Sequence, residues 1–217
     1  STGAHIGINQ SYFQAGANVL YYRFNAFCNP DLKPYSLFYF RGRDNLNFSL
    51  DYRFRAGKAL FSGECAFDNK FHTAHFHQLQ YQPHPLLNMV HSFRYYSPAY
   101  QAYFAAAFSE NSRVCNETGW FTAMECRLFE RLKMDTYLDV FVFPWLKYGV
   151  NAPSSGHDLG LELSSCIVNG LEWGLRYREK TKTANLPVEG EKGITPCADN
   201  TRRQLRLQLK ACFGGLS

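Results

Sequence analysis

Met134-Asp135-Thr136-Tyr137-Leu138-Asp139-Val140-Phe141-Val142 is the stretch that decides the fold. Met134, Thr136, Leu138, Val140 and Val142 share one parity, and Asp135, Tyr137, Asp139 and Phe141 share the other. Side chains of a strand alternate between the faces of its sheet, so this is a strand with one apolar and one more polar face. The period returns at 46–54, where Leu46, Phe48, Leu50, Tyr52 and Phe54 oppose Asn47, Ser49, Asp51 and Arg53. At 171–178, Leu171, Trp173, Leu175 and Tyr177 oppose Glu172, Arg176 and Arg178. At 204–213, Leu205, Leu207, Leu209, Ala211 and Phe213 oppose Gln204, Arg206, Gln208 and Lys210. No long helical pattern competes. The best helical stretch is 98–108, where Ala105-Ala106-Ala107 predicts one or two turns inside a loop.

Extending this reading gives about eleven strands, at roughly 4–13, 15–25, 45–54, 58–67, 71–81, 86–96, 117–128, 133–143, 159–167, 170–180 and 203–213. They are mostly nine to twelve residues long. The usual strand of a soluble protein has about five or six residues, whereas a tilted transmembrane strand needs about nine to eleven. The connections sort by parity. Short turns fall near 14, 55–57, 82–85, 129–132 and 169–170, and long loops at 26–44, 97–116, 144–158 and 181–202. In an up-and-down order all the long loops lie at one end, joined there only by the tight Asp68-Asn69-Lys70 turn. Short turns at one end and long loops at the other are the pattern of outer-membrane barrels. The predicted fold is therefore all-β: an antiparallel up-and-down transmembrane β-barrel, as a single domain over 1–217.

Composition agrees. Of 217 residues, 17% are aromatic and only 19% charged, which excludes disorder, coiled coil and collagen. Mean hydropathy is -0.33, and no run of about eighteen apolar residues marks a membrane helix. Ser1-Thr2-Gly3-Ala4-His5 has no signal-peptide character. A net charge of +5 is too small to argue for nucleic acid by itself.

Local strings carry a resemblance. Tyr35-Ser36-Leu37-Phe38-Tyr39-Phe40-Arg41-Gly42-Arg43, Tyr95-Tyr96-Ser97-Pro98-Ala99-Tyr100, Phe108-Ser109-Glu110 and, most specifically, Phe143-Pro144-Trp145-Leu146-Lys147-Tyr148-Gly149-Val150 resemble the C-terminal barrel region of a Bacteroidota outer-membrane family. Its members are often named for an N-terminal helix-hairpin-helix segment, which this chain lacks. The resemblance runs over about residues 4–178. It implies an outer-membrane location and strands beyond these eleven, so the chain is expected to form part of a barrel of twelve or more strands.

The polar face supplies the expected lumen network: Asp51, Arg53, Glu64, Arg94, Glu125, Arg127, Asp139, Glu162 and Arg176. Both signs are present, which favours internal ion pairs over a single-sign selectivity ring. His75 and His77 share a face, and a turn at 82–85 would put His91 opposite His77. Three imidazoles supply enough metal ligands, but no carboxylate stands near to orient them, so the reading is an outer-wall contact with a partner, with no metal and no cofactor. The loops offer Tyr35, Phe38, Arg41, Arg43, Trp145 and Tyr148, aromatic and cationic residues suited to docking a partner or folding over the mouth. Cys28, Cys115 and Cys197 all lie in long loops, where any two would be placed for a disulfide.

The expected function is a non-enzymatic outer-membrane subunit or scaffold. Its expected partners are the bilayer, lipopolysaccharide and other outer-membrane proteins. The alternatives are a pore for a small polar solute or nucleic acid, and a barrel enzyme acting on lipid or peptide.

Overall fold

The computed structural model describes residues 1–129, 131–168, 171–186 and 196–211, and Cys212 lies outside them. The strands are β1 (Thr2–Asn9), β2 (Phe13–Cys28), β3 (Gly42–Ala56), β4 (Ala59–Asp68), β5 (Thr73–His84), β6 (Leu87–Tyr96), β7 (Glu117–Phe129), β8 (Leu132–Phe143), β9 (Ser154–Val168), β10 (Leu171–Asn185) and β11 (Cys197–Ala211). They form one eleven-stranded sheet in chain order, each strand antiparallel to the next. All-β antiparallel architecture and the sorting of loops by end are thus as the alternation predicts. The 98–108 stretch is not helical. It folds as turns, because its side chains pack on neighbouring strands.

Parity fixes the faces. On β8, Asp139, Phe141 and Phe143 are buried while Leu138, Val140 and Val142 are exposed. The register carries this sorting across the sheet, since Asp139 pairs with Phe121 and Asp158, and Val140 with Trp120 and His157. The inner face holds Asn45, Asn47, Ser49, Asp68, Ser92, Arg94, Glu117, Asp139 and Asp158, all buried polar groups. The outer face exposes Val19, Leu50, Phe93, Trp120, Leu138, Val140, Leu161 and Leu207. Outer aromatic pairs stand at both ends of the β3–β4 hairpin. Phe48 and Phe67 pair near the long-loop end, and Phe54 and Phe61 pair near the short-turn end. Phe48 and Phe54 stand six residue steps apart on β3, about 20 Å along the strand.

Loop 97–116 shows that the sheet curls. The Gln101 carbonyl accepts from Asn45 and Asn47 on β3, while Glu110 binds Lys180 and Lys182 on β10. Seven strand spacings separate β3 from β10 in a flat sheet, about 33 Å. A nine-residue step that contains turns does not reach so far, so the inner faces bend around the loop.

Candidate functional site

The long-loop end is a plug held by buried carboxylates. Glu117 opens β7 and is 0% exposed. It accepts from Arg94 Nε (2.5 Å), Ser109 Oγ (2.7 Å) and the backbone amides of Glu110 (3.0 Å) and Asn111 (2.8 Å). Arg94 turns its other nitrogens to Asp139, at 2.8 and 3.1 Å. The guanidinium occupies the place where a side chain at Gly119 would stand. Burying these charges is tolerable only because each is hydrogen-bonded to its partners.

Two further anchors act alike. Asp68 accepts from the Lys70, His72 and Gln101 amides, tying the β4–β5 turn to the plug. Asp158 binds Arg178, Lys180 and the Tyr137 hydroxyl. Tyr22 receives the Tyr103 amide, and Asn45 donates to the Tyr22 hydroxyl at 2.9 Å. Burial pushes the Glu110 carboxyl up, but the hydrogen bonds and charges of Lys180 and Lys182 outweigh it and hold this loop carboxyl below its ordinary 4.5.

Several predicted lumen residues meet here or lower down. Arg94 joins Asp139. Arg176 joins Glu162 at 2.6 Å, and Glu125 meets Lys133 at 3.3 Å. Asp51 accepts from Asn18, whereas Arg53, Glu64 and Arg127 are exposed. Below the plug the inner face is open. A cavity of about 470 Å³ is lined there by Val90, Phe121, Tyr137, Glu162 and Arg176 among others. Glu117 and Asp158 were not singled out in the sequence, and Glu110 entered only in the Phe108-Ser109-Glu110 string. Glu117 begins its strand beside irregular loop, and Asp158 lies in Ser154-Ser155-Gly156-His157-Asp158, which reads as turn.

The loop aromatics also come together. Tyr35 packs on Tyr148, Phe38 on Trp145, and the Trp145 indole donates to the Pro34 carbonyl. Tyr148 remains 80% exposed. Arg41 serves the loop itself, and Arg43 ties the start of β3 to the end of β2. Arg41 donates to the carbonyls of Pro30, Ser36, Leu37 and Tyr39, and Arg43 to those of Phe24 and Asn25.

Cys28, Cys115 and Cys197 form no disulfide, which corrects the expectation drawn from their shared end. Burial pushes the Cys115 thiol up to about 11.

On the outer face His75 and His77 stack at 6.2 Å. His91 is not opposite His77. The turn forms at Pro85-Leu86 rather than over 82–85, so β5 runs on to His84 and the register moves by two residues. Phe93 stands opposite His77, and His91 bonds Thr122 instead. On the other side of β5, Cys65 of β4 pairs with His75, and its Sγ lies 4.0 Å from His77 Nε2.

No family model matches the chain, and neither a curated protein nor a solved structure matches it.

Proposed function

We propose that this sheet is the wall of an outer-membrane β-barrel whose long-loop end is sealed, and that the protein is a non-enzymatic scaffold presenting its loops and outer wall to other membrane proteins. The observation that carries this reading is loop 97–116. It crosses from β3 to β10 and is bonded to both, closing that end of the inner space. The outer face supports the membrane part, since it is exposed and apolar and carries aromatic pairs near both ends of the β3–β4 hairpin, as the wall of a transmembrane barrel would.

The plug carboxylates are saturated by donors. Glu117 accepts four hydrogen bonds and Asp158 four, counting its ion pair with Lys180. Groups so occupied hold structure and are poorly placed to exchange a proton with a substrate. Closure also has a parity rule. In a meander of eleven strands, β1 and β11 run the same way. Fully antiparallel closure takes an odd number of additional strands, so the complete barrel has at least twelve, in keeping with the even counts of bacterial barrels.

The test is reconstitution of the complete protein, with the strands that close its barrel, in detergent, then planar bilayers. The expected results are a heat-shifted gel mobility and a closed wild-type lumen that conducts once residues 98–115 are replaced by a short Gly-Ser linker. A monomer soluble without detergent would refute the membrane reading. Wild-type conductance equal to that of the linker variant would favour the pore.

A further inference from the structure

We infer that Cys65, His75 and His77 form a binding site for a borderline-soft divalent cation, Zn²⁺ first, on the outer face of the β4–β5 hairpin. One ligand atom from each of the three residues falls within 4.8 Å of the other two. In a tetrahedral site with Zn–S near 2.3 Å and Zn–N near 2.0 Å, ligand atoms stand roughly 3.3–3.7 Å apart. The Cys65–His77 separation of 4.0 Å is already close to this. Side-chain rotations that shorten the widest separation, at most 4.8 Å, by roughly 1–1.5 Å complete the set.

The surroundings orient the ligands. Cys65 and His75 are direct cross-strand partners, and His77 follows His75 on the same face, paired with Gly63. A Cβ at Gly63 would fall 2.5 Å from His77 Nδ1, so only glycine lets that imidazole lie across β4. The Tyr52 hydroxyl is 3.1 Å from Nδ1. With Nδ1 carrying the proton and donating to Tyr52, Nε2 is free and aimed at Cys65, the outer-shell arrangement typical of metal-bound histidine. His75 is stacked between His77 and Tyr95. The hairpin turn is fixed by Asp68 through Lys70 and His72. Two imidazoles and a thiolate select Zn²⁺ or copper over Mg²⁺ or Ca²⁺. Binding releases the Cys65 proton to solvent, because the thiolate is the ligand. The fourth position points away from the sheet; because Cys65 pairs with Leu50 of the outer belt, it is left to a side chain of a protein that covers this stretch of wall. The ligand geometry does not depend on how the sheet is closed, whereas the covering partner rests on the outer-wall reading proposed above.

The experiment uses the full chain, folded in detergent and freed of metal, with Co²⁺ as the optical probe and Zn²⁺ in calorimetry. One equivalent of Co²⁺ is expected to give a thiolate-to-cobalt absorption band. Cys65→Ser and His77→Asn should each abolish the band and weaken Zn²⁺ binding more than ~100-fold, because loss of an outer-shell partner alone costs about 10–100-fold. Tyr52→Phe should weaken it about 10-fold, and His91→Gln should leave it unchanged. A reading on the unaltered protein runs alongside: Zn²⁺ should shield Cys65 from maleimide, with the label located by mass spectrometry. Equal labelling of Cys65 with and without Zn²⁺, or a cobalt band that survives Cys65→Ser, would overturn the assignment.

Discussion

Arg94 and Arg176 lie on the same inner face and meet carboxylates of neighbouring strands, yet their surroundings differ. The Arg94 side chain is 1% exposed and its partners Glu117 and Asp139 are 0% and 5% exposed. The Arg176 side chain is 56% exposed and Glu162 is 36% exposed. What separates them is loop 97–116, which covers the first and not the second. Ion pairing in this protein is therefore a structural commitment under the plug and a surface feature below it. The strands supply the charges, and the loop decides how much they matter.

That contrast breaks most visibly at Arg94. Arg94→Met leaves Glu117 and Asp139 buried without their cation and should destabilise the fold by about 3–5 kcal/mol. Urea unfolding in detergent micelles reads this, and faster proteolysis within 97–116 should accompany it. Next comes a comparison of faces rather than ends. Leu50 is 59% exposed at the middle of β3, on the outer face. Leu50→Arg should cost about 2–4 kcal/mol of stability in lipid, the effect of a cation near the midplane of a barrel wall. Refolding into vesicles measures it, and a soluble protein would show almost none.

Glu110 gives a smaller, pH-dependent effect. Its folded carboxyl lies below 4.5 because Lys180 and Lys182 outweigh burial. A depressed carboxyl stabilises fully above its unfolded value and loses that contribution as pH falls through the folded value. Glu110→Gln should therefore cost about 1 kcal/mol at neutral pH, reduced by partial solvent screening. The difference from wild type should shrink as pH drops below about 4.5. The smallest effect is expected at Arg176→Met, under about 1 kcal/mol, since the pair is exposed and screened. A loss there as large as at Arg94 would erase the distinction between the two ends.

The strands were legible because alternation is written locally. Leu46 to Phe54 and Met134 to Val142 need no distant partner to show their faces. Long-range pairing was not legible. Gln101 reaches Asn45 and Asn47 across 54–56 residues, and Glu110 reaches Lys180 across 70. No spacing rule links such positions. The start of β9 was hidden for another reason. Gly156 has the composition of a turn, but it stands where a larger residue would strike the Phe141 ring. The histidine cluster shows how a two-residue error in a turn exchanges one neighbour for another. Moving the β5–β6 turn removed His91, while the β4 register, which no histidine pattern announces, brought in Cys65.

The central claim is that the outer face meets lipid and the inner face does not. Spin labels at single cysteines, placed in a background cleared of native cysteines, test it along the stretch that first showed the alternation. In lipid vesicles, labels at Leu138, Val140 and Val142 should relax with oxygen and be shielded from a water-soluble relaxing agent, while labels at Asp135 and Tyr137 should show the reverse. Equal access of the water-soluble agent to both sets would contradict the account.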